Sequence, residues 1–498
     1  MSQFGRRSGS PRTRAVVLGL GPAGRIAAHR AAARGWDVMA LDPAGGSMPS
    51  TVGAWAHQLP AWLPADAVAS RFRPTVITSD GRRRVLDDAY VVLDTARLSE
   101  LGGFEVRREA GLGGGRATYM SWNDDRDQNV GPVARLKEAI GRLRELVTTD
   151  PSQGPSVSID HEHYHSSDDE IPDGFVDPNG VGGSFAAWTS PDILVDAAGA
   201  APDAAVLEAR QLAFGHVFRE ADLPDTVRVP VLMDFTVPAG ANADREGDDD
   251  HREFPATFSY RLPLGDGTWL IEETILAARA SSDADDPRRA GLHAHLRRMQ
   301  SHRLTELGID LAAAISDEIV DFPMGPWRLP DNRPRTPLHE ALELVPVPGR
   351  STISLDLSFL ARPFGGAGTP GCGHFGAGGG WMHPATGYSV GAVLADVDRF
   401  LDQLEARADA SPPGGRPLAW LRRRGLHVLL GFDADQTREF FDSFLSLPDA
   451  AIREYLTGTS TPRTLAVMVA LAIPLGRRNP KTLARLLAAF ADGKPVDG

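Results

Sequence analysis

The sequence has 498 residues, of which 52 are Lys or Arg and 65 are Asp or Glu, giving a net charge of -13. This length predicts two or three domains with a large core, and the acidic balance argues against nucleic acid as the main partner, because phosphate binding requires a basic surface. The single cysteine, Cys372, excludes an intrachain disulfide and a Cys/His zinc set.

Residues 1–13 are basic and rich in Ser, Gly and Arg, and they lack the apolar core of a secretory signal. They predict a flexible, disordered tail. No window in the chain reaches the ~18 consecutive apolar residues that a membrane-spanning helix needs. We therefore expect neither a secretory signal nor a membrane-spanning helix.

The first predicted element is an apolar strand over 15–18, followed by the pattern G-x-G-x-x-G. Gly19 permits a tight turn, Gly21 lets the backbone approach a pyrophosphate, and Gly24 lets the next helix pack on the strand. The helix predicted over 25–34 would present free N–H groups and the positive end of its dipole to an anion. This arrangement is typical of a dinucleotide-binding turn.

A second strand, predicted over 37–42, ends in Asp42, ~20 residues after the first glycine, where an acid binds the ribose of a dinucleotide. This one run of sequence contains a strand, the glycines, a helix, a second strand and an acid, and this combination predicts a bound dinucleotide. The alternative is an α/β turn without a nucleotide. The next segment, Val52-Gly-Ala-Trp55, is typical of a loop along a flavin or of an ordinary surface loop.

Short elements follow, separated by polar segments. The pattern predicts a strand over 89–94, a helical turn over 95–101, a glycine-rich loop over 102–115 and an amphipathic helix over 132–148. Residues 149–190 are rich in Pro, Gly, Ser and Asp, which predicts a variable insertion.

This insertion contains His161-Glu-His-Tyr-His165 followed by three acidic residues. A metal site and a solvated loop are the two interpretations of such a run. The composition favours the solvated loop, and no residues that would orient metal ligands are visible in the sequence. We therefore predict no metal.

The strand predicted at Asp192–Gly199 ends in a small-residue turn that would return to the cofactor through Asp196 and Gly199. Three β-type runs at 227–237, 256–262 and 268–276 then predict an antiparallel sheet in a second domain inserted into the first. The acidic segment between the first two runs, 239–250, predicts a charged hairpin loop.

A helix is predicted over 288–307 and a strand over 352–357. The glycine-rich tract 365–380 leads through Trp381–Ser389 into an apolar-periodic helix over 390–404. A glycine-rich turn at a helix N-terminus is a second place to hold an anionic or carbonyl-bearing cofactor.

From Leu418 to about residue 492 the pattern predicts helices, with aromatic residues repeated at helical spacing. These aromatics are Phe432, Phe440, Phe441 and Phe444. Such a stripe favours a packed core over a cofactor site.

The order of these patches resembles the FAD-dependent lycopene cyclases of the β-cyclase type. Leu270–Thr274 nearly matches the Phe-Leu-Glu-Glu-Thr box of that family, His383–Tyr388 matches its His-Pro-x-Thr-Gly-Tyr box, and Phe440–Leu447 resembles its C-terminal Phe-Phe-x-x-Phe-x-x-Leu stretch. The other matching patches are Gly19–Gly24, Val52–Trp55, Val195–Gly199 and Val231–Phe235.

The resemblance implies an α/β fold with a Rossmann-like FAD-binding domain in residues 14–200 and 346–405. It also implies an inserted substrate domain with an antiparallel sheet at 201–345 and a C-terminal helical region at 406–498. The residues expected to bind FAD are Gly19, Gly21, Pro22, Ala23, Gly24, Asp42, Gly53, Asp196, Gly199, His383, Pro384, Thr386, Gly387 and Tyr388.

By the same resemblance, the reaction is the cyclisation of the linear ends of a carotenoid, from lycopene to products with β-ionone rings. Reduced FAD would act without net electron transfer, with NADPH as the electron source. Acid-initiated ring closure needs a carboxyl group in an apolar cavity, where burial keeps it protonated.

Glu272 and Glu273 supply two carboxyls on one predicted strand, so their side chains point to opposite faces and one can face the substrate. The resemblance makes Glu272 the acid or cation stabiliser, with Glu273 in support, and Asp234 is a further candidate. A charged edge strand with both acids in solvent is the alternative.

Other functions remain compatible with the sequence. They are a cyclase of the same fold acting on another isoprenoid, such as a prenylated or meroterpenoid substrate; a redox flavoprotein such as a hydroxylase or prenyl reductase; and a non-catalytic flavin-binding protein. The missing Gly-Asp-Ala-type flavin turn, with His383-Pro-Ala-Thr-Gly387 in its place, argues against the redox flavoprotein.

A polyene substrate resides in the bilayer, so we expect a cytoplasmic protein associated peripherally with the membrane. Residues 464–475 are candidates for the contact, and an ordinary buried helix is the alternative. The basic residues that follow them are Arg477, Arg478, Lys481 and Arg485.

Overall fold

The computed structural model describes residues 12–42, 44–48, 50–107, 191–199, 209–243, 254–279, 286–324 and 371–492. Several predicted features lie outside these residues. They are most of the N-terminal tail, the helix over 132–148, the histidine run at 161–165 and the strand over 352–357.

The described residues contain fifteen strands in three sheets. In chain order they are β1 (Arg14–Leu18), β2 (Asp37–Leu41), β3 (Val52–Trp55), β4 (Val68–Phe72), β5 (Thr75–Ile77), β6 (Arg83–Val85), β7 (Tyr90–Leu93), β8 (Glu105–Arg107), β9 (Ile193–Asp196), β10 (Arg210–Arg219), β11 (Val231–Asp234), β12 (Thr257–Pro263), β13 (Thr268–Ala278), β14 (Ala314–Pro323) and β15 (Gly371–His374).

The α-helices of the same residues come mostly after residue 286. They are α1 (Pro22–Ala33), α2 (Thr95–Glu100), α3 (Ala239–Ala243), α4 (Pro287–Glu306), α5 (Val390–Glu405), α6 (Gly415–Leu430), α7 (Ala434–Phe444), α8 (Asp449–Thr457), α9 (Thr461–Arg478) and α10 (Pro480–Asp492).

The first sheet is parallel, with the strand order β15-β9-β1-β2-β8. Its three central strands, β9, β1 and β2, are short, mostly apolar runs, as expected of a parallel sheet buried on both faces. Helix α1 packs against α5. Arg30 of α1 and Arg34, which directly follows the helix, lie 3.0 and 3.2 Å from a carboxylate oxygen of Asp398. The predicted Rossmann-like α/β domain is confirmed.

The second sheet has seven strands in the order β14-β10-β13-β12-β11-β5-β6. Strands β10 to β14 pair antiparallel, as predicted for an inserted sheet, whereas β11 pairs parallel with β5. Two strands of this sheet, β5 and β6, therefore come from the segment before residue 200. The small third sheet has the order β3-β7-β4.

Period-2 alternation gives the second sheet two different faces. One face packs against α4, with Leu212, Ile275 and Leu296 in the core between them. The other face packs against the C-terminal helices, where Phe235 of the sheet stacks on Phe441 of α7 at a ring-centroid distance of 4.6 Å. The predicted C-terminal helical region and its aromatic core are thus confirmed.

Two local predictions were wrong. Val52–Trp55 was expected to be a loop, but it is strand β3, because it pairs antiparallel with the buried strand β7 along its whole length. The predicted hairpin loop over 239–250 begins as a helix, α3, in its described part, and its charged residues 244–250 lie outside the described residues.

Candidate active site

The glycine turn after β1 is built by close backbone contacts. Gly19 has φ +82°, and a Cβ atom there would come within 2.7 Å of the Ala198 Cα atom. A Cβ atom on Gly24 would lie 1.9 Å from the carbonyl oxygen of Gly19. Only glycine fits at both positions, so the turn and the packing of α1 on β1 depend on them.

Helix α1 starts after Gly21 with Pro22 in its first turn, and no side chain among the described residues caps it. The backbone N–H groups of its first turn, with the dipole behind them, can therefore bind an anion. Pro22 and Ala23 form this first turn, and Ala23 also contacts the neighbouring glycine loop. A Cβ atom on Gly376 would lie 2.5 Å from the Ala23 Cβ atom.

Asp42 follows β2 beside this turn. Its Oδ2 atom accepts a hydrogen bond from the Leu20 amide at 2.7 Å, and its Oδ1 atom accepts one from the Ala44 amide at 2.8 Å. The carboxylate thus joins the glycine turn to the loop after β2, and its remaining lone pairs can accept from a ribose hydroxyl.

Asp196 ends β9, the neighbour of β1. Its Oδ1 atom accepts from the Ala198 amide at 3.1 Å, and its Oδ2 atom lies 3.0 Å from Nδ1 of His374 on β15. Gly199 follows with φ +91°. Gly19, Asp42 and Asp196 therefore meet at the carboxyl edge of the parallel sheet, where such folds bind dinucleotides.

The structure places the His383–Tyr388 segment elsewhere, at the junction between the parallel sheet and the second sheet. The His383 ring is buried with its centroid 5.3 Å from that of Tyr455, and burial together with Arg422 holds its pKa well below the usual value. Gly387 has φ +75°, and a Cβ atom there would meet the Gln211 side chain at 2.3 Å. Pro384 lies in the same turn.

Thr386 and Tyr388 line an apolar cavity between the second sheet and the C-terminal helices. The cavity encloses about 410 Å³ of space, including its open mouth. Its other lining residues are mainly aromatic or aliphatic: Met233, Tyr260, Leu276, Ala385, Leu429, Phe440, Phe441, Phe444, Tyr455 and Leu456.

Gly53 lies on the small third sheet, against Tyr90. A Cβ atom on Gly53 would come 2.3 Å from the Tyr90 hydroxyl oxygen, so the glycine makes room for this ring. The Tyr90 centroid is 6.4 Å from that of Tyr388. Gly53 therefore lies near the tyrosines at the cavity and not at the glycine turn.

Glu272 points to the cavity face of β13. It is 6 % exposed, and its direct cross-strand neighbour is Tyr260, which lines the cavity. Its Oε1 atom accepts a hydrogen bond from the Thr274 hydroxyl at 3.0 Å. Burial, and next the charge of Glu318, raise the pKa of Glu272 well above its usual value. The buried site therefore favours the protonated form of this carboxyl.

Tyr90 and Tyr260 lie near this carboxyl, and Tyr388 lies near both of these tyrosines. Burial raises the pKa of Tyr90 and Tyr260 well above the usual value and raises that of Tyr388 to about 12. They are therefore neutral at physiological pH, and their rings offer electron-rich faces to a cation.

Glu273 and Asp234 lie on the opposite face of the sheet, against α4. Arg303 of α4 donates from Nε to an Oε atom of Glu273 at 2.8 Å, and Arg261 donates to an Oδ atom of Asp234 at 2.7 Å. Thr236 connects the two pairs, because its hydroxyl accepts from Arg303 and donates to Asp234. The structure thus brings Glu273 and Asp234 together, separated from Glu272 by the sheet.

Three residues near Glu272 carry no motif that the sequence analysis could detect. Glu318 lies on β14, an unpredicted edge strand in which charged and apolar residues mix; Gly215 lies on the unpredicted strand β10; and Thr51 precedes β3. The alternation of Leu212, Phe214 and Phe218 was the available signal for β10.

Among the residues that the structure describes, no group of three or more His, Cys, Asp or Glu side chains could hold a metal ion. In the same ranges, no helix is both long and apolar enough to cross a bilayer.

The fold and the site define a Rossmann-like α/β protein with a dinucleotide-type turn and a buried acid beside an apolar cavity. A family described as lycopene cyclase protein matches residues 190–336 and 363–479, more than half of the chain. The chain therefore belongs to the lycopene cyclase family, and it is an enzyme of the cyclase type.

Individual relatives are more distant. The chain is 26 % identical to an uncharacterized carotenoid cyclase of Deinococcus radiodurans, over 95 % of this chain and 93 % of the relative. It is 24 % identical to a lycopene beta cyclase of Synechococcus elongatus, over 92 % of each chain. It is 23 % identical to a chloroplastic lycopene beta cyclase of an Oncidium hybrid cultivar, over 88 % of this chain and 76 % of the relative.

Solved structures with which the chain aligns include p-nitrophenol 4-monooxygenase PnpA of Pseudomonas putida, at 11 % identity and TM-score 0.36 over 98 % of this chain and 99 % of that one. Peptidyl tryptophan dihydroxylase QhpG aligns at 14 % identity and TM-score 0.35, over 96 % of this chain and 79 % of that one. Such low scores add nothing to the fold described above.

Proposed function

We propose that this enzyme cyclises the linear ends of a carotenoid, converting lycopene to products with β-ionone rings by acid-initiated carbocation chemistry. The observation that carries the proposal is Glu272, a buried carboxyl whose pKa is raised well above its usual value and whose cross-strand neighbour Tyr260 lines an aromatic cavity. The named functions of the relatives, carotenoid cyclase and lycopene beta cyclase, support the substrate class.

The proposed step is an isomerisation. The Glu272 carboxyl transfers its proton to the terminal double bond of the polyene, and the resulting cation is attacked by a neighbouring double bond to close the ring. Loss of a proton to the Glu272 carboxylate then gives the ring double bond and restores the acid. Tyr260, Tyr388 and Phe441 line the cavity that excludes water from the cation.

The residues fit a bound FAD, and we propose that the enzyme requires it. The glycine turn 19–24, Asp42 and Asp196 would hold the dinucleotide part, and the His383–Tyr388 segment faces the cavity side. In its reduced form, maintained by NADPH, FAD supplies a negative charge that stabilises a nearby cation without net electron transfer.

The roles of Glu273 and Asp234 follow from their ion pairs. Each carboxylate faces a guanidinium on the α4 side of the sheet, so we propose that they support the strands that carry Glu272 and do not touch the substrate.

Incubation of the dithionite-reduced, FAD-loaded protein with lycopene in detergent tests the proposal. We expect ring-containing products, and we expect Glu272→Gln to lower their rate of formation by about 10²–10⁴-fold, the usual contribution of a general acid. Glu100→Gln, which removes an exposed carboxyl on α2, is the matched control and should retain the rate.

Failure of the reduced enzyme to form rings from lycopene would contradict the carotenoid assignment. Ring formation from a prenylated substrate in the same assay would indicate the alternative cyclase. Stoichiometric consumption of NADPH with substrate turnover would indicate a redox flavoprotein instead.

We also propose that the enzyme associates peripherally with a membrane, where a polyene substrate resides. Helix α9 exposes Leu465, Val469 and Ile473 at four-residue intervals, with 44 %, 62 % and 57 % of their surface exposed. Its opposite face is buried through Val467 and Leu471. The helix thus combines both of the predicted alternatives, a packed face and a face available to lipid.

A further inference from the structure

Four strands of the second sheet place a row of residues in register beside the cavity. Tyr260 of β12 pairs with Glu272 of β13, Glu272 pairs with Gly215 of β10, and Gly215 pairs with Glu318 of β14. Directly paired residues point to the same face of a sheet. Glu272 and Glu318 therefore lie on one face, separated only by a glycine.

Gly215 leaves the space between the two carboxyl-bearing strands open. A Cβ atom at this position would come within 2.7 Å of the Glu272 Cβ atom and 2.8 Å of the Ile271 carbonyl oxygen. Two strand spacings separate the backbones of β13 and β14 by roughly 10 Å. Glutamate side chains that lean toward each other over a glycine can span most of that distance, and the charge of Glu318 acts on Glu272.

Thr51 fixes the position of Glu318. Its backbone N–H donates to the Oε1 atom of Glu318 at 2.8 Å, and its hydroxyl donates to the Oε2 atom at 2.7 Å. Both carboxylate oxygens are thus held by donors, which favours the ionised form. Because Thr51 directly precedes β3, the contact joins the edge of the second sheet to the small third sheet.

We propose that Glu318 is the second carboxyl of the acid site, a positioning residue whose fixed negative charge keeps the proton on Glu272. Pairs of neighbouring carboxyls hold a proton in this way because both cannot ionise cheaply at once. The inference rests on the proposed function only in treating Glu272 as the proton donor.

The other titratable groups around Glu272 supply less of this charge. Tyr90 of β7, Tyr260 of β12 and Tyr388 before α5 are neutral at physiological pH because burial raises their pKa values. Glu273 follows on the same strand and also raises the pKa of Glu272, but less than Glu318 does; it points to the other face, where it pairs with Arg303.

The raised pKa of Glu272 agrees in direction with this arrangement. Burial is the first cause of the raised pKa of Glu272, and Glu318 is the second. Burial also raises the pKa of Glu318, and the two hydrogen bonds from Thr51 oppose that rise. The hydrogen-bond donors of Thr51 therefore lie at Glu318, which must carry the charge. Glu272, the more buried of the two carboxyls, carries the proton.

Infrared difference titration of the purified full chain tests the proposal without substrate. The protonated-carboxyl band lost in Glu272→Gln identifies Glu272. We expect Glu318→Gln to lower the midpoint at which this band disappears by about one pH unit, because a neighbouring negative charge is removed. Glu318→Asp keeps the negative charge, so the midpoint of the Glu272 band should stay close to that of the parent protein.

Asp317→Asn is the matched control, since Asp317 is adjacent on β14 but points to the other face, where it is exposed. It should leave the midpoint unchanged. If Glu318→Gln does not fold, as judged by near-ultraviolet circular dichroism, Glu318→Ala removes the same charge without burying an amide. A Glu272 midpoint in Glu318→Gln or Glu318→Ala equal to that of the parent would overturn the proposal.

The pH profile of cyclisation provides the second readout. We expect the high-pH limb to move to lower pH in Glu318→Gln by the same amount as the infrared midpoint, and to stay in place in Asp317→Asn. A normal infrared shift without any ring formation from lycopene would contradict the proposed function and leave the carboxyl pair intact.

Discussion

At the residue scale, Glu272 is a carboxyl whose burial costs stability. An acid whose pKa is raised in the native state binds its proton more tightly folded than unfolded. The native state therefore loses stability as pH rises from the unfolded value near 4.5 toward the raised native pKa. This cost is typical of a functional group held in an unfavourable environment.

Glu272→Gln should remove that cost, because the amide keeps a polar group of the same shape beside Thr274 and cannot ionise. We expect its melting temperature to exceed that of the parent at pH 8 and to match it closely near pH 5. The parent should lose up to about 1.4 kcal/mol of unfolding free energy per pH unit more than the variant. A parallel pH dependence of the two proteins would contradict a raised pKa at Glu272.

Gly24 offers a second test at this scale. A Cβ atom there would lie 1.9 Å from the Gly19 carbonyl oxygen, so Gly24→Ala must displace the turn or α1. We expect the variant to purify without bound flavin and to lose about 1–3 kcal/mol of stability, the usual cost of overpacking. Gly102→Ala is the control, at a glycine without a positive φ where a Cβ atom would meet only the Glu100 carbonyl oxygen, at 3.5 Å. Retention of flavin in Gly24→Ala would contradict the role of the turn.

At the element scale, the elements with a strong local pattern were predictable. The helices α1, α4 and α5 and the strands β1, β2, β12 and β13 follow from apolar periodicity and glycine signals. Strand β14 was not predictable, because the neighbouring acids Asp317 and Glu318 interrupt its apolar pattern and it gains its structure by pairing with β10. The carboxyl pair depends on that long-range pairing, so local sequence could not reveal it.

Helix α9 carries the prediction about membranes. Val469→Asp places a charge in the middle of its exposed apolar stripe, at a residue 62 % exposed, so the fold should tolerate it. We expect flotation with anionic liposomes to fall at least several-fold, because apolar burial drives such binding. Val229→Asp, at a partly exposed valine in the loop before β11, is the control. Unchanged flotation of Val469→Asp would contradict the proposed contact.

At the scale of the whole molecule, the second sheet and the C-terminal helices meet at the cavity. The second sheet supplies Tyr260 and its neighbour Glu272, the C-terminal helices supply Phe440 and Tyr455, and the parallel sheet carries the dinucleotide turn, whose residues do not line the cavity. The sequence predicted each of these parts. It could not predict that Glu273 and Asp234 form ion pairs on the other face, because their partners Arg303 and Arg261 stand at positions that carry no motif.

The most direct test of the acid mechanism is the incorporation of solvent deuterium. The reduced enzyme is equilibrated in deuterium oxide and then given lycopene, and the products are examined by mass spectrometry. Because the proton on Glu272 exchanges with solvent before each turnover, we predict one deuterium per ring formed, at the carbon that accepts the proton. Ring products without deuterium, or undiminished ring formation by Glu272→Gln, would contradict proton donation by this carboxyl.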